Sequence, residues 1–168
     1  ILQRLMAEWK ERGEETSYDR VIAEATLSDI RSVIDVDDSS FCNPDCMEES
    51  IAEYCHKHHL RVPVSQGEFV RCVIESLAHR YKLGVEQMNR CLPVPVKQLH
   101  IIGGGCQNRL LNQLTANALG IPVYAGPVEA TAIGNILVQA KAQGEIDTWE
   151  ELKEIIINSV KPQVYYPE

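Results

Sequence analysis

The sequence predicts an α/β fold richer in helix than in strand, and three observations carry that expectation. A short apolar β-prone run, Leu99 to Ile102, passes through three glycines, Gly103 to Gly105, into a segment whose apolar residues Leu110, Leu111, Leu114 and Ala118 recur at helical spacing. A second β-prone run, Ile121 to Ala125, follows a stop at Gly120 and turns through Gly126-Pro127 into another helical pattern, Ala130 to Ala142. Upstream, Phe69, Val70, Val73, Leu77, Tyr81, Val85 and Met88 trace one long helix behind the capping box Ser65-Gln-Gly-Glu68.

With 168 residues, 45% of them hydrophobic and 24% charged, the chain holds enough apolar material for one domain with a real core. A net charge of -8 and the lack of any basic stripe argue against nucleic acid or an anionic membrane surface as partner. No run approaches the roughly 18 apolar residues of a membrane span, and no basic-then-apolar leader opens the chain, which therefore reads as cytoplasmic. Ile1 falls inside a helical pattern with neither Met nor a cap, so residues 1–168 read as a piece of a longer protein.

Taken in order, Ile1, Leu2, Leu5, Met6 and Trp9 give the first helix, through Arg12, one apolar face, and Gly13 stops it. Thr16 with Asp19 forms a second capping box, ahead of Val21, Ile22 and Ala25, and Val33 to Val36 is expected as a short strand. Asp37-Asp38 reads as a solvated turn, since no glycine-framed calcium loop surrounds it. Asn43-Pro44-Asp45 has the chemistry of a helix start, with Met47, Ile51, Tyr54 and Cys55 as the apolar side and Pro63 as its close.

The long helix is the natural partner for the strand before the glycines, each large apolar side chain taken from water contributing about 1.5–3 kcal/mol. Leu92-Pro-Val-Pro95 forces an extended linker, because each proline pushes its predecessor out of the helical region. Thr148-Trp-Glu-Glu151 boxes the start of a last helix with Leu152, Ile155, Ile156 and Val160 inward, bracketed by Gly144 and Pro162.

The six cysteines contain no C-x-x-C pair and are expected as free thiols. Cys42 and Cys46 could join the stretch Cys55-His56-Lys57-His58-His59 on zinc, but the Asn43-Pro44 break suits a helix start better, so no metal ligand is assigned. Cys55 and Cys72 are the pair best placed to meet if oxidised.

Chemistry concentrates at the glycines. Successive glycines remove every Cβ and let a flat or phosphorylated group lie on the backbone, while Asn108 is a good N-cap for a helix whose free N–H groups suit an anionic or polar ligand. A nucleotide leads, although the run is neither G-x-G-x-x-G nor the phosphate loop G-x-x-x-x-G-K-[ST]. A turn that only lets the helix pack closely on its strand stays open. Ala130, Ala132 and Gly134 likewise admit either a neighbouring element or an adenine ring.

Gly103-Gly-Gly-Cys-Gln-Asn-Arg-Leu-Leu-Asn-Gln-Leu114, followed by Gly126-Pro-Val-Glu-Ala-Thr-Ala-Ile-Gly-Asn135, resembles the adenosine-binding end of the FGGY carbohydrate kinases, and the similarity runs over the whole chain. The resemblance implies an incomplete actin-like (ribonuclease H-like) ATPase domain, helix-rich with a small partial sheet, and ATP held between it and a missing N-terminal domain that takes the sugar. It implies Gly103, Gly104, Gly105 and Asn108 as nucleotide contacts, Gln3 of Leu2-Gln3-Arg4 as a further one, and Mg²⁺ bound mainly by residues outside this chain. The family's catalytic Asp, phosphate loops and sugar contacts lie upstream, so no catalytic residue is assigned and the isolated chain is expected to be inactive. The wording around Gln107-Asn108 and Gly126 to Glu129 is most similar to members acting on L-rhamnulose. Kinases of xylulose, fuculose or glycerol stay open, as does a non-catalytic protein-interaction module.

Overall fold

Where the sequence places its proline linker, the chain divides into two units, Ile1–Arg90 and Cys91–Glu168; the computed structural model describes residues 1–168. The first unit is helical: α1 (Leu2–Glu11), α2 (Tyr18–Leu27), a 3₁₀ turn (Ser39–Phe41), α3 (Met47–Lys57) and α4 (Gln66–Asn89). Leu5 and Trp9 of α1 are wholly buried, as the amphipathic pattern requires, and Gly13 follows the helix with φ +75°. The long helix α4 finds its partner in α2, and Val21, Ala25, Val70, Val73 and Ile74 are buried on the two helices. The strand expected to receive α4 belongs to the other unit. Beyond Val85, α4 leaves Met88 about half exposed.

Gly67 is what lets α2 and α4 approach. A Cβ built there would lie 2.7 Å from Cβ of Glu24 and 3.0 Å from its carbonyl carbon, closer than real side chains come. Beside it, Ser65 Oγ accepts the Glu68 amide at 3.2 Å, and the Glu68 carboxylate accepts the Val64 amide at 2.7 Å. The box therefore closes one residue earlier than the reciprocal bond to Ser65 would.

Three local expectations give way in this unit. Thr16 does not cap α2, which starts at Tyr18 after Ser17 without a side-chain cap. Val33 to Val36 is no strand: the Ile34 amide goes to Ser76 Oγ at 2.9 Å and the Asp35 amide to the Tyr54 hydroxyl at 3.1 Å, so side chains take what a ladder would have used. Nor does Asn43-Pro44-Asp45 open α3. The helix starts at Met47, whose amide is capped by the carboxylate of Glu8 from α1.

The second unit runs β1 (Leu99–Ile101), a 3₁₀ turn (Gly103–Gln107), α5 (Arg109–Leu119), β2 (Val123–Ala125), α6 (Ala130–Ala142), α7 (Trp149–Ser159) and β3 (Gln163–Tyr165). Its sheet has the order β1-β2-β3. β1 and β2 are parallel, with Leu99 opposite Val123 and Ile101 opposite Ala125, as a strand-helix-strand crossover produces. β3, which no sequence pattern announces, pairs antiparallel with β2 and sets Tyr165 opposite Val123.

α5 packs on β2 and β3. Ile101, Cys106, Ala116, Val123, Ala125 and Tyr165 form one buried apolar cluster. The tail after β3 is tied to α5, where Gln113 Nε2 donates to the Tyr166 carbonyl at 2.8 Å and Asn117 Oδ1 accepts the Glu168 amide at 3.1 Å. α7 carries the expected cap, Thr148 Oγ1 accepting the Glu151 amide at 3.1 Å, and α6 buries none of its residues. The architecture is thus α/β, helix-rich, with one small sheet. No helix is long and apolar enough to cross a membrane.

Candidate functional site

Parallel strands deliver their C-terminal ends to one edge of a sheet, and in open α/β sheets that edge is where ligands collect. Here β1 runs into the glycine turn and β2 into Gly126-Pro127, so both sequence motifs arrive side by side. Two backbone hydrogen bonds join them: the Gly103 amide donates to the Pro127 carbonyl at 3.1 Å, and the Gly126 amide donates to the Ile101 carbonyl at 2.8 Å.

Gly103 has φ +73°, the left-handed region that a side chain resists, whereas Gly104 and Gly105 do not. A Cβ built on Gly103 or Gly104 would meet nothing within 4 Å, and one on Gly105 only Ile101 Cγ2 at 3.7 Å. Gly103 and Gly104 thus stand clear of packed neighbours, while Gly105 lies at ordinary contact distance from Ile101.

Two asparagines one turn apart, the N-cap of α5 and a residue within it, hold the turn in place. Asn108 Oδ1 accepts the Leu111 amide at 2.9 Å, the N-cap bond its position predicts, and Asn112 Nδ2 donates to the Cys106 carbonyl at 2.8 Å. Both side chains are buried, and Asn112 Oδ1 has no protein partner. Asn112 escaped the sequence reading, although an asparagine four residues beyond the cap on a helix face turned inward was the available signal.

The structure therefore brings Gly103, Gly104, Gly105 and Asn108 together with Gly126. Gln3 is exposed on the first turn of α1, in the first unit. His100, read as an ordinary strand residue, stacks on Tyr124 across the β1–β2 pair, with ring centroids 5.0 Å apart.

No group of three or more His, Cys, Asp or Glu side chains is arranged to hold a metal ion. All six cysteines are free, and Cys55 and Cys72 are both buried in the core of the first unit. Burial pushes both thiols up, Cys72 to about 12.

Known proteins with similar sequence or fold add a separate finding. Residues 1–143 match the FGGY family of carbohydrate kinases, C-terminal domain. Rhamnulokinase of Bacteroides thetaiotaomicron is 44% identical over 169 residues, covering 100% of this chain and 34% of the relative. Rhamnulokinase of Bacillus subtilis is 34% identical, covering 100% of this chain and 33% of the relative. Among solved structures, the xylulose kinase from Rhodospirillum rubrum superposes with a TM-score of 0.64 at 17% identity, over 99% of this chain and 33% of that one. The chain spans about a third of the length of the curated relatives it matches.

Proposed function

The chain belongs to the FGGY family of carbohydrate kinases and has their actin-like fold, and on that premise we propose that residues 1–168 are the adenosine-binding part, in the C-terminal domain, of an ATP-dependent sugar kinase. The observation that carries the reading is the bare glycine backbone at the C-terminal end of β1, hydrogen-bonded to the second motif at the end of β2 and facing open space. In the full-length parent, Gly103, Gly104 and Gly105 receive the adenosine, Asn108 fixes the turn that presents them, and Gln3 is a further nucleotide contact. The acceptor is L-rhamnulose, converted to L-rhamnulose 1-phosphate in the cytoplasm, because rhamnulokinases match the whole chain whereas the xylulose kinase shares the fold at low identity.

Phosphoryl transfer to a hydroxyl needs a base at the acceptor and cationic help for the transferring group. No catalytic base is assigned within residues 1–168, and Mg²⁺, which would supply the cationic help, would be held mainly by residues outside this chain. The share of the work done here is binding and orientation. The 168-residue chain alone transfers no phosphoryl group, and measurable turnover by it would refute that.

A competing role as a protein-interaction module draws on α6, which leaves Ile136 and Val138 exposed. Titration calorimetry separates the two. The full-length parent binds ADP with one site per chain in the kinase reading, and a folded parent that binds neither ATP nor ADP removes it.

A further inference from the structure

A turn built on Gly103, Gly104 and Gly105 brings no side chains with which to fix its own shape, and glycine gives up more conformational freedom on ordering than any other residue. The shape is therefore set by bonds from outside. Backbone bonds hold the two ends: the Gly103 amide donates to the Pro127 carbonyl at 3.1 Å, and the Asn108 amide donates to the Gly105 carbonyl at 3.2 Å. Between them a side chain reaches in from α5. Asn112 Nδ2 donates to the Cys106 carbonyl at 2.8 Å, a bond made away from solvent.

An asparagine is a poor choice for this position on stability alone. Asn112 and Thr115 are both wholly buried on α5, yet they meet burial differently. Thr115 returns its hydroxyl to the Leu111 carbonyl at 2.7 Å, whereas Asn112 satisfies its donor and leaves Oδ1 without a protein partner. An unmet buried acceptor works against folding, and a leucine, branched at the same carbon, would escape that penalty and suit the helix better. Departures of this kind from what folding asks gather at functional positions, and this one is aimed at the glycine turn.

We infer that Asn112 is the positioning residue of the adenosine turn: through the Cys106 carbonyl it holds Gly103, Gly104 and Gly105 in the shape that meets the nucleotide, and so sets nucleotide affinity from beneath. The inference rests on the nucleotide reading of that turn and adds the residue that shapes it. Its role differs from that of Asn108. Asn108 uses its side chain on the cap of α5, through the Leu111 amide, while Asn112 uses its side chain on the turn itself.

The test uses the full-length parent with Asn112→Leu and Asn112→Ala, which remove the same amide and differ in bulk, and with Thr115→Val, which removes a buried hydrogen bond within α5 and leaves the turn alone. Calorimetry gives the dissociation constant for ADP and initial rates give KM and kcat, all at a temperature where unfolding curves show each variant folded. Both Asn112 variants are expected to weaken ADP binding and raise the KM for ATP by about 3- to 10-fold, the range of one lost hydrogen bond. Their kcat and their KM for sugar should stay within about twofold of the parent, and alkylation of the buried Cys106 thiol in the native protein should quicken as the turn loosens. Thr115→Val should lower the unfolding midpoint yet leave ADP affinity and Cys106 reactivity within about twofold, which a merely structural role for Asn112 would not separate. Unchanged ADP affinity in a folded Asn112 variant, or an equal loss in Thr115→Val, overturns the inference. So does a KM for sugar that rises as far as the KM for ATP. Failure of the nucleotide reading looks different, because the unmodified parent then binds neither ADP nor ATP.

Discussion

The carboxylate of Glu8, on α1, places both oxygens 3.0 Å from the amide nitrogen of Met47, the first residue of α3. One helix thus caps another. Glu8 is itself buried and is held by Arg4 Nε at 2.9 Å, so its charge is compensated on one side by a guanidinium and on the other by a helix N-terminus. Glu8→Ala removes the acceptor and leaves the Met47 amide buried without a partner, which should cost about 1.5–3 kcal/mol. Glu8→Gln keeps an oxygen in place and should cost less. Urea unfolding of the parent measures both, and an alanine variant as stable as the parent would show that α3 needs no such cap.

The three glycines should respond differently to substitution. Gly103→Ala forces a side chain into the left-handed region and should lose about 1–2 kcal/mol of stability. Gly104→Val meets open space at ordinary φ, so it should fold like the parent. In an assay of the full-length parent it should raise the KM for ATP while leaving the KM for sugar nearly unchanged, because the branched side chain would fill the space where the nucleotide is proposed to rest. If folded Gly104→Val binds ATP as tightly as the parent, the turn is no cradle.

Asn108 and Asn112 act on the turn from within. Asn108→Ala removes the cap on the Leu111 amide and should cost about 0.5–2 kcal/mol, with a mild rise in the KM for ATP. Asn112→Asp sets an acceptor against the Cys106 carbonyl at a site closed to solvent, and should cost at least about 1–3 kcal/mol. Thermal unfolding midpoints rank the two, and an aspartate variant less affected than Asn108→Ala would contradict the assigned donor.

Much of this was open to reading in the sequence, and most of the misses turn on distant partners, although the local Thr16-Asp19 box also fails to form. The caps of Ser65, Asn108 and Thr148 are local, closed within three residues, and all three form. Asn43-Pro44-Asp45 misled because the cap that forms comes from Glu8, a distant residue no window contains. Val33 to Val36 has strand composition, but a strand needs a neighbour, and its amides find Ser76 and Tyr54 first. β3 is three residues behind a proline, too short to show a period. At the candidate site, the glycine run and the Asn108 cap were legible because they are contiguous in sequence, whereas the hydrogen bonds that join the run to Gly126-Pro127 come from strand pairing.

Thiol chemistry should follow burial. Cys42 and Cys91 are exposed and should react with an alkylating reagent in the native protein, while Cys55, Cys72 and Cys106 should react only on unfolding. Burial holds Cys72 near 12 in place of 9.0, so the folded state keeps its proton more tightly than the unfolded chain does. The stability this contributes is whole below about pH 9 and is lost as the pH rises through about 12. Cys72→Ala should flatten that alkaline loss in unfolding measurements. A variant with the same alkaline profile as the parent would count against a buried neutral thiol.

Gly67 and Gly104 read identically as letters and are guarded by different forces. The first is fixed by the molecule's own interior, where a single added carbon collides with Glu24, so any selection that asks only for a folded chain will refuse to change it. The second touches nothing, and a population screened for expression or heat resistance should accumulate alanine and serine there freely. On the proposed nucleotide reading, a screen for kinase activity in the full-length parent restores the glycine. The difference between two such libraries, position by position, would draw the outline of the absent ligand without a crystal of the complex.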